Sequence, residues 1–161
     1  MNHLQPSFLL SENLNRLARW LRLLGYDAAL YRSIDFDNMI RIANRDRRII
    51  LTRDRKQATS RKKFNRRLIQ TEYHLQQLRE LQDLIRFDQE YAFTRCLECN
   101  RRLFAISAEK IKDLVPEYTR QQQQGFLYCR QCGRIYWQGD HYRDMKDQLD
   151  KIFSNEKMGE K

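Results

Sequence analysis

Glycine and proline are scarce in this chain, 5 and 2 among 161 residues. Loop-dominated and disordered chains are rich in such residues, so their scarcity argues for regular, packed structure. No apolar run approaches the ~20 residues that span a bilayer, and no membrane-spanning helix is expected. The start, MNHLQPSFLLSENLNR, has only a short apolar core and no cleavage signature. It does not read as a signal peptide, and a cytoplasmic location is expected. A glycine-rich phosphate loop is also missing, which leaves a Rossmann or P-loop nucleotide site with little support. No internal repeat is visible, and the one low-complexity tract, Gln121 to Gln124, is expected to loop out.

Acidic residues are outnumbered, 21 against 31 Lys and Arg, for a formal net charge of +10. That excess favours a polyanionic partner: RNA, DNA or an anionic membrane surface. Hydrophobic content of 41% supplies a core, and the length suits one core plus a small satellite domain.

Up to about residue 90 the apolar pattern alternates between strand and helix periods. Phe8 to Leu10 reads as a buried strand. Leu14, Leu17, Ala18, Leu21 and Leu24 then mark one helix face, ended by Gly25. Ala28 to Tyr31 reads as a strand, Asp35 to Asp46 as a helix burying Met39, Ile42 and Ala43, and Arg48 to Thr52 as the clearest strand. Asp54 onward reads as a basic helix, Leu68 to Thr71 as a strand, and Leu75 to about Phe87 as a long helix. Short connections in this order imply right-handed crossovers and a mainly parallel sheet covered by helices. From Tyr91 cysteines, aromatics and short β-like runs take over. The expected domains are 1–90, α/β, and 91–161, a small cysteine-bearing domain with a helix over about Ala108 to Gln121, a final helix from about Asp140 to Phe153 and a polar tail.

Cys96-Leu-Glu-Cys99 and Cys129-Arg-Gln-Cys132-Gly133 form a CxxC…CxxC pair. Two such turns can present four thiolates to one ion, the tetrahedral sulfur set that Zn²⁺ prefers. Gly133 gives the second turn its backbone freedom. A reducing compartment favours metal ligation over two disulfides. Four cysteines fill the shell, so the zinc is expected to be structural, with His141 a surface residue.

A parallel sheet gathers its carboxyl strand ends on one edge, where ligands bind. Each crossover here begins with an acid: Glu12 after Ser11, Asp35 and Asp37 after the second strand, Asp54 after the third, Glu72 after the fourth. Converging oxygen ligands suit Mg²⁺ or Mn²⁺, which can activate water for phosphodiester hydrolysis. The same residue types also cap helices or sit in their first turns, and Asp54 with Gln57 has the spacing of a capping box. Between Arg41 and Arg67 the only acids are Asp46 and Asp54. Arg53, Arg55, Lys56, Arg61, Lys62 and Lys63 in that run, with Arg16, are the candidate phosphate contacts; the alternative is a solvated helix face. Arg95, Arg101, Arg102, Arg130 and Arg134 add to the cationic surface, with Phe104, Tyr128, Tyr136 and Trp137 near them in the chain, where rings either stack bases or fill a small core.

Five stretches, "NRLARWLRLLGYD", "RIILTRDR", "HLQQLRELQ", "FTRCLECN" and "YCRQCGRIYWQGDHYRDM", together resemble the Mut-seven C-terminal ribonuclease family. The resemblance implies a PIN-like three-layer α/β/α domain followed by a zinc ribbon, metal-dependent RNA cleavage and RNA as partner. On that basis Asp54, Glu12, Asp37 and Glu72 are the expected catalytic acids. The family pattern ends its first strand in Phe-x-x-Asp; here the stretch is Phe8-Leu9-Leu10-Ser11. Either Glu12 replaces the missing acid, or the chain binds RNA without cutting it. A protein-interaction scaffold is the third alternative.

Overall fold

A computed structural model describes residues 5–154. The chain divides into two compact units, the first ending at Asn100 and the second starting at Arg101.

The first unit is α/β. Its four strands are β1 (Ser7–Ser11), β2 (Ala28–Tyr31), β3 (Arg48–Thr52) and β4 (Arg66–Leu68). All run parallel in the order β2-β1-β3-β4. The helices between and after them are α1 (Asn15–Leu23), α2 (Phe36–Arg45), α3 (Arg55–Ala58) and α4 (His74–Arg79). A 3-10 turn, Glu12–Leu14, joins β1 to α1. β1 is buried on both faces because both are covered. Leu9 and Ile50 pack with Met39, Ile40 and Ala43 of α2, while Phe8 and Leu10 alternate to the opposite face. α1 buries Leu17, Ala18 and Leu21 and packs beside α4.

α1 ends in a Schellman motif. The Tyr26 N–H donates to Leu21 O at 2.9 Å and the Gly25 N–H to Arg22 O at 3.0 Å. Gly25 sits at φ +91°, and a Cβ there would meet the Tyr91 carbonyl oxygen at 2.2 Å. Conformation and close approach both demand glycine.

Several expected elements are shorter. α3 stops at Ala58, and the cationic run after it is irregular. That run has no apolar face to pack, and like charges one turn apart oppose a helix. β4 spans Arg66–Leu68 rather than Leu68 to Thr71. The Glu80 carboxylate takes the Gln70 and Thr71 amides, both at 2.8 Å, away from any ladder. The long helix expected to Phe87 ends at Arg79, where i→i+3 bonds such as Leu84 N–H to Leu81 O, 2.7 Å, tighten the chain into turns. In α2 Ile40 is buried where Ile42 was expected; Ile42 is half-buried.

The second unit carries β5 (Phe104–Ile106), β6 (Phe126–Tyr128) and β7 (Ile135–Tyr136) as an antiparallel sheet in that order. α5 (Glu117–Gln122) and α6 (Asp140–Phe153) complete it. The helix expected over Ala108 to Gln121 is split into a 3-10 turn, Ala108–Ile111, and α5. Pro116 sits between them and disfavours helical backbone at the residue before it. Gln121 and Gln122 close α5, so only Gln123 and Gln124 leave the helix. Ile111, Val115 and Phe126 form this unit's core. The expected polar tail lies outside the described residues.

Candidate metal centre and nucleic-acid rim

The Sγ atoms of Cys96, Cys99, Cys129 and Cys132 all lie within 4.8 Å of one another. A zinc ion with Zn–S bonds of about 2.3 Å needs tetrahedron edges of about 3.8 Å, so the four thiolates fit it. Each CxxC is a tight turn. The Cys99 N–H donates to Cys96 Sγ at 3.4 Å. In the second turn the Gly133 N–H donates to Cys129 O at 2.9 Å, with Gly133 at φ +75°. The set can hold a metal ion such as zinc and leaves no cysteine over for catalysis. His141 is exposed at the start of α6.

The first cysteine turn packs onto the amino-terminal edge of the parallel sheet through residues absent from the expected site. Arg22, 4% exposed, donates from Nε to Ala28 O at 2.9 Å and from Nη1 to Leu97 O and Glu98 O at 2.6 and 3.1 Å. Burial lowers its pKa, opposed by the negative charge of Glu98 and then Cys96. Arg95 donates to Gly25 O at 3.0 Å and Asn100 O at 2.8 Å. Asn100 Oδ1 accepts from the Ala28 N–H at 3.1 Å, and its amide donates to Asp27 at 2.6 Å. Arg48 grips the same Asp27 carboxylate with two bonds, 2.7 and 3.0 Å. The signal for Arg22 was in the sequence: a charge four residues after Ala18, beside Leu21, at the edge of an apolar helix stripe.

The carboxyl edge is different in kind. Strand order reverses between β1 and β3, the point where ligands enter open parallel sheets. Leu10 pairs with Leu51 in register, so Ser11 and Thr52 end neighbouring strands. Ser11 Oγ donates to Asn13 Oδ1 at 2.5 Å. Glu12 is exposed and has no polar partner among the described residues. Thr52 Oγ1, buried, donates to Gln57 Oε1 at 2.7 Å and accepts from the Asp54 N–H at 3.0 Å. Gln57 is thereby used, and the expected capping box does not form. Asp54 caps α3 with one oxygen, accepting from the Lys56 N–H at 2.8 Å; its other oxygen accepts nothing among the described residues.

The other acids are committed. Asp35 caps α2 through the Asn38 amide at 2.9 Å, and that bond lowers its pKa. Asp37, exposed, pairs with Lys62. Glu72, 80% exposed, accepts from Arg53 at 2.9 Å. Among the described residues the four cysteines are the one group of three or more ligand types close enough for a metal. Glu12, Asp37, Asp54 and Glu72 therefore all follow carboxyl strand ends without forming a preassembled trio.

Arg16, Arg55, Lys56, Arg61, Lys62 and Lys63 are exposed around this edge and the loop after α3, and Arg53 is half-buried. Lys62, Lys63 and Arg66 line an open depression around Phe64, over whose ring the Arg66 guanidinium lies at 4.6 Å. At the head of α4, His74 stacks on Trp20, ring centroids 5.9 Å apart at 20°. In the second unit Arg130 lies 3.8 Å over the half-exposed Phe104 ring. Arg95, expected among the surface arginines, is instead tied into the cysteine turn.

A family model described as the Mut7-C RNAse domain matches residues 6–149. No curated protein and no solved structure matches the chain.

Proposed function

Because the chain belongs to the Mut7-C RNAse domain family, we propose that it binds RNA along the carboxyl edge of the parallel sheet and hydrolyses phosphodiesters there with Mg²⁺ or Mn²⁺. The observation that supports this most is the state of Glu12 and Asp54. They follow neighbouring strand ends at the switch point, and both carry carboxylate oxygens without a partner among the described residues. Mg²⁺ keeps several waters and uses one or two carboxylates plus substrate phosphates, so these two residues fit its needs. Such an ion, when bound, supplies an activated water and neutralises charge on the phosphodiester.

The chain's own residues do the rest. Thr52 holds the Asp54 main-chain N–H, and the Lys56 amide holds one oxygen of the Asp54 carboxylate. Arg16, Arg55 and Lys56 draw the phosphate backbone to the edge, and Arg53 beside them holds Glu72. Asp37 and Glu72 enter only if RNA phosphates displace them from Lys62 and Arg53. The cysteine-bound metal braces the fold. A panel of single-stranded RNAs with Mn²⁺ tests the reading: wild-type protein cleaves, and Asp54→Asn loses at least 100-fold while zinc content and melting temperature hold. An uncut panel sinks the cleavage step.

A second reading is favoured by Ser11, where the family resemblance expects an acid, and by the two acids already neutralised by cations. In it the chain binds RNA without cutting. Affinity is then salt-sensitive, and Asp54→Asn leaves it unchanged or raises it, because a negative charge leaves the edge.

A further inference from the structure

The head of α4 presents an aromatic ring that the fold does not use. Tyr73 precedes the helix in the cap position, makes no capping bond, and is 73% exposed, the largest value among the exposed large hydrophobic residues. Its neighbour His74 is held flat against Trp20. Burial, then the charge of Arg16, lowers the His74 pKa. On the other side Glu72 is bound to Arg53, next to Asp54. The two buried side-chain polar atoms that lack a partner among the described residues, Arg53 Nε and Thr71 Oγ1, flank this same corner. Buried polar atoms are nearly always bonded, and these two have no partner among the described residues.

An exposed ring whose two chain neighbours, Glu72 and His74, each interact with an arginine matches one chemistry. We propose that Tyr73 is a stacking platform for an unpaired base of single-stranded RNA, with Arg16 and Arg53 taking the adjoining phosphates. This rests on the RNA-binding reading above and narrows its substrate to unpaired strands. A duplex keeps its base faces stacked on one another and offers none to Tyr73. Arg53 is partly open to solvent, its side chain 32% exposed beside the mostly exposed Glu72.

Fluorescence anisotropy of the zinc-loaded full chain tests this. The probes are fluorescein-labelled ten-residue oligouridylate, the same strand with a run of abasic sites, and a duplex of equal length, each at several NaCl concentrations. Tyr73→Ala should weaken oligouridylate binding about 5- to 150-fold, while Tyr73→Phe stays within about twofold. The salt slope should not change in Tyr73→Ala, because stacking releases no counterions. In Arg16→Ala it should fall by about 0.7, the value for one single-strand phosphate contact. Duplex and abasic strands should not distinguish Tyr73→Ala from wild type. If Tyr73→Ala binds oligouridylate as wild type does, or loses as much on the abasic strand, the stacking site is overturned and RNA binding stands. If wild type binds no RNA at low salt, the RNA reading itself is overturned.

Discussion

Replacing Arg22 with alanine should be among the most damaging single changes in the α/β unit, although Arg22 is nowhere near the acidic edge. The side chain is 4% exposed and satisfies three carbonyl oxygens, those of Ala28, Leu97 and Glu98. Hydrogen bonds from a charged donor are worth about 1.5–3 kcal/mol each, and leaving their buried partners unmade costs more than the bonds contribute. The desolvation that lowers the Arg22 pKa works in the opposite direction and is relieved by the substitution. Removing one member of a buried charged arrangement typically nets about 3–5 kcal/mol of destabilisation. For a chain of this size each kcal/mol moves the melting temperature about 2–4 °C, so a drop of about 6–20 °C is expected in a circular-dichroism melt. Loaded with zinc, the same variant should yield the ion to a chromogenic chelator sooner than wild type, because the Cys96–Cys99 turn loses its clamp at Leu97 and Glu98. Arg19→Ala is the control. Arg19 pairs with Glu98 from an exposed position, and surface pairs are worth about 0–1 kcal/mol. A melting shift in Arg22→Ala no larger than in Arg19→Ala would refute the reasoning.

Three further outcomes follow from the same contacts. Removing zinc with a chelator should lower the melting temperature of the α/β unit as well as that of the ribbon, read by hydrogen exchange at Ala28 and Tyr26, since Arg22, Arg95 and Asn100 tie the first cysteine turn to that edge; protection unchanged by chelation would refute it. Asp27 should make the fold acid-sensitive. Burial alone would raise its pKa, but the bonds from Arg48 and Asn100 outweigh burial and lower it. A lowered folded-state value contributes stability that is full above the unfolded-state pKa, near 4, and is lost as pH falls through the folded value. Asp27→Asn should therefore flatten the melting-temperature profile below about pH 4, and an unchanged profile would contradict this. Leu21→Ala, at a fully buried site in α1, should cost about 2–5 kcal/mol in urea unfolding with an unchanged m-value; a loss under about 1 kcal/mol would mean that α1 is not packed as described.

The sequence displayed whatever depends on apolar period and on side chains that act alone. β2, β3 and α6 lie where Ala28, Arg48 and Asp140 open their runs, and the thiolates of Cys96 and Cys129 come together as their CxxC spacing implies. The failures occurred where a polar side chain had two uses. Gln57 could close a capping box or bond Thr52, and it bonds Thr52. Glu80 reads as an ordinary helix residue, yet it takes two loop amides and shortens β4. Charge pairing was equally hidden. Asp37 and Lys62, or Arg53 and Glu72, are far apart in sequence and meet only through the crossovers. An acid counted as a free ligand from its position after a strand is thus found already neutralised. Arg22 shows the converse, a residue whose place on an apolar stripe marked it and whose partners no spacing could name.

The two edges of the parallel sheet differ in how completely their polar groups are satisfied, and that difference separates bracing from binding. At the amino-terminal edge Arg22, Arg48, Arg95 and Asn100 spend their donors on carbonyls and on Asp27. Such a network has little left to give a ligand, and disturbing it should move stability first. At the carboxyl edge, among the described residues, Glu12 has no polar partner, Asp54 uses one carboxylate oxygen, Tyr73 is exposed, and the buried Arg53 Nε and Thr71 Oγ1 lack partners. The two unpartnered buried atoms are a modest cost in the isolated chain, and they belong to Arg53 and to the chain neighbour of its partner Glu72. Asp27→Asn should therefore lower the melting temperature at neutral pH and leave RNA affinity within about twofold, whereas Tyr73→Ala should do the reverse. If both variants moved both quantities together, the two edges would be one cooperative unit, and the division of labour drawn from their hydrogen bonds would be wrong.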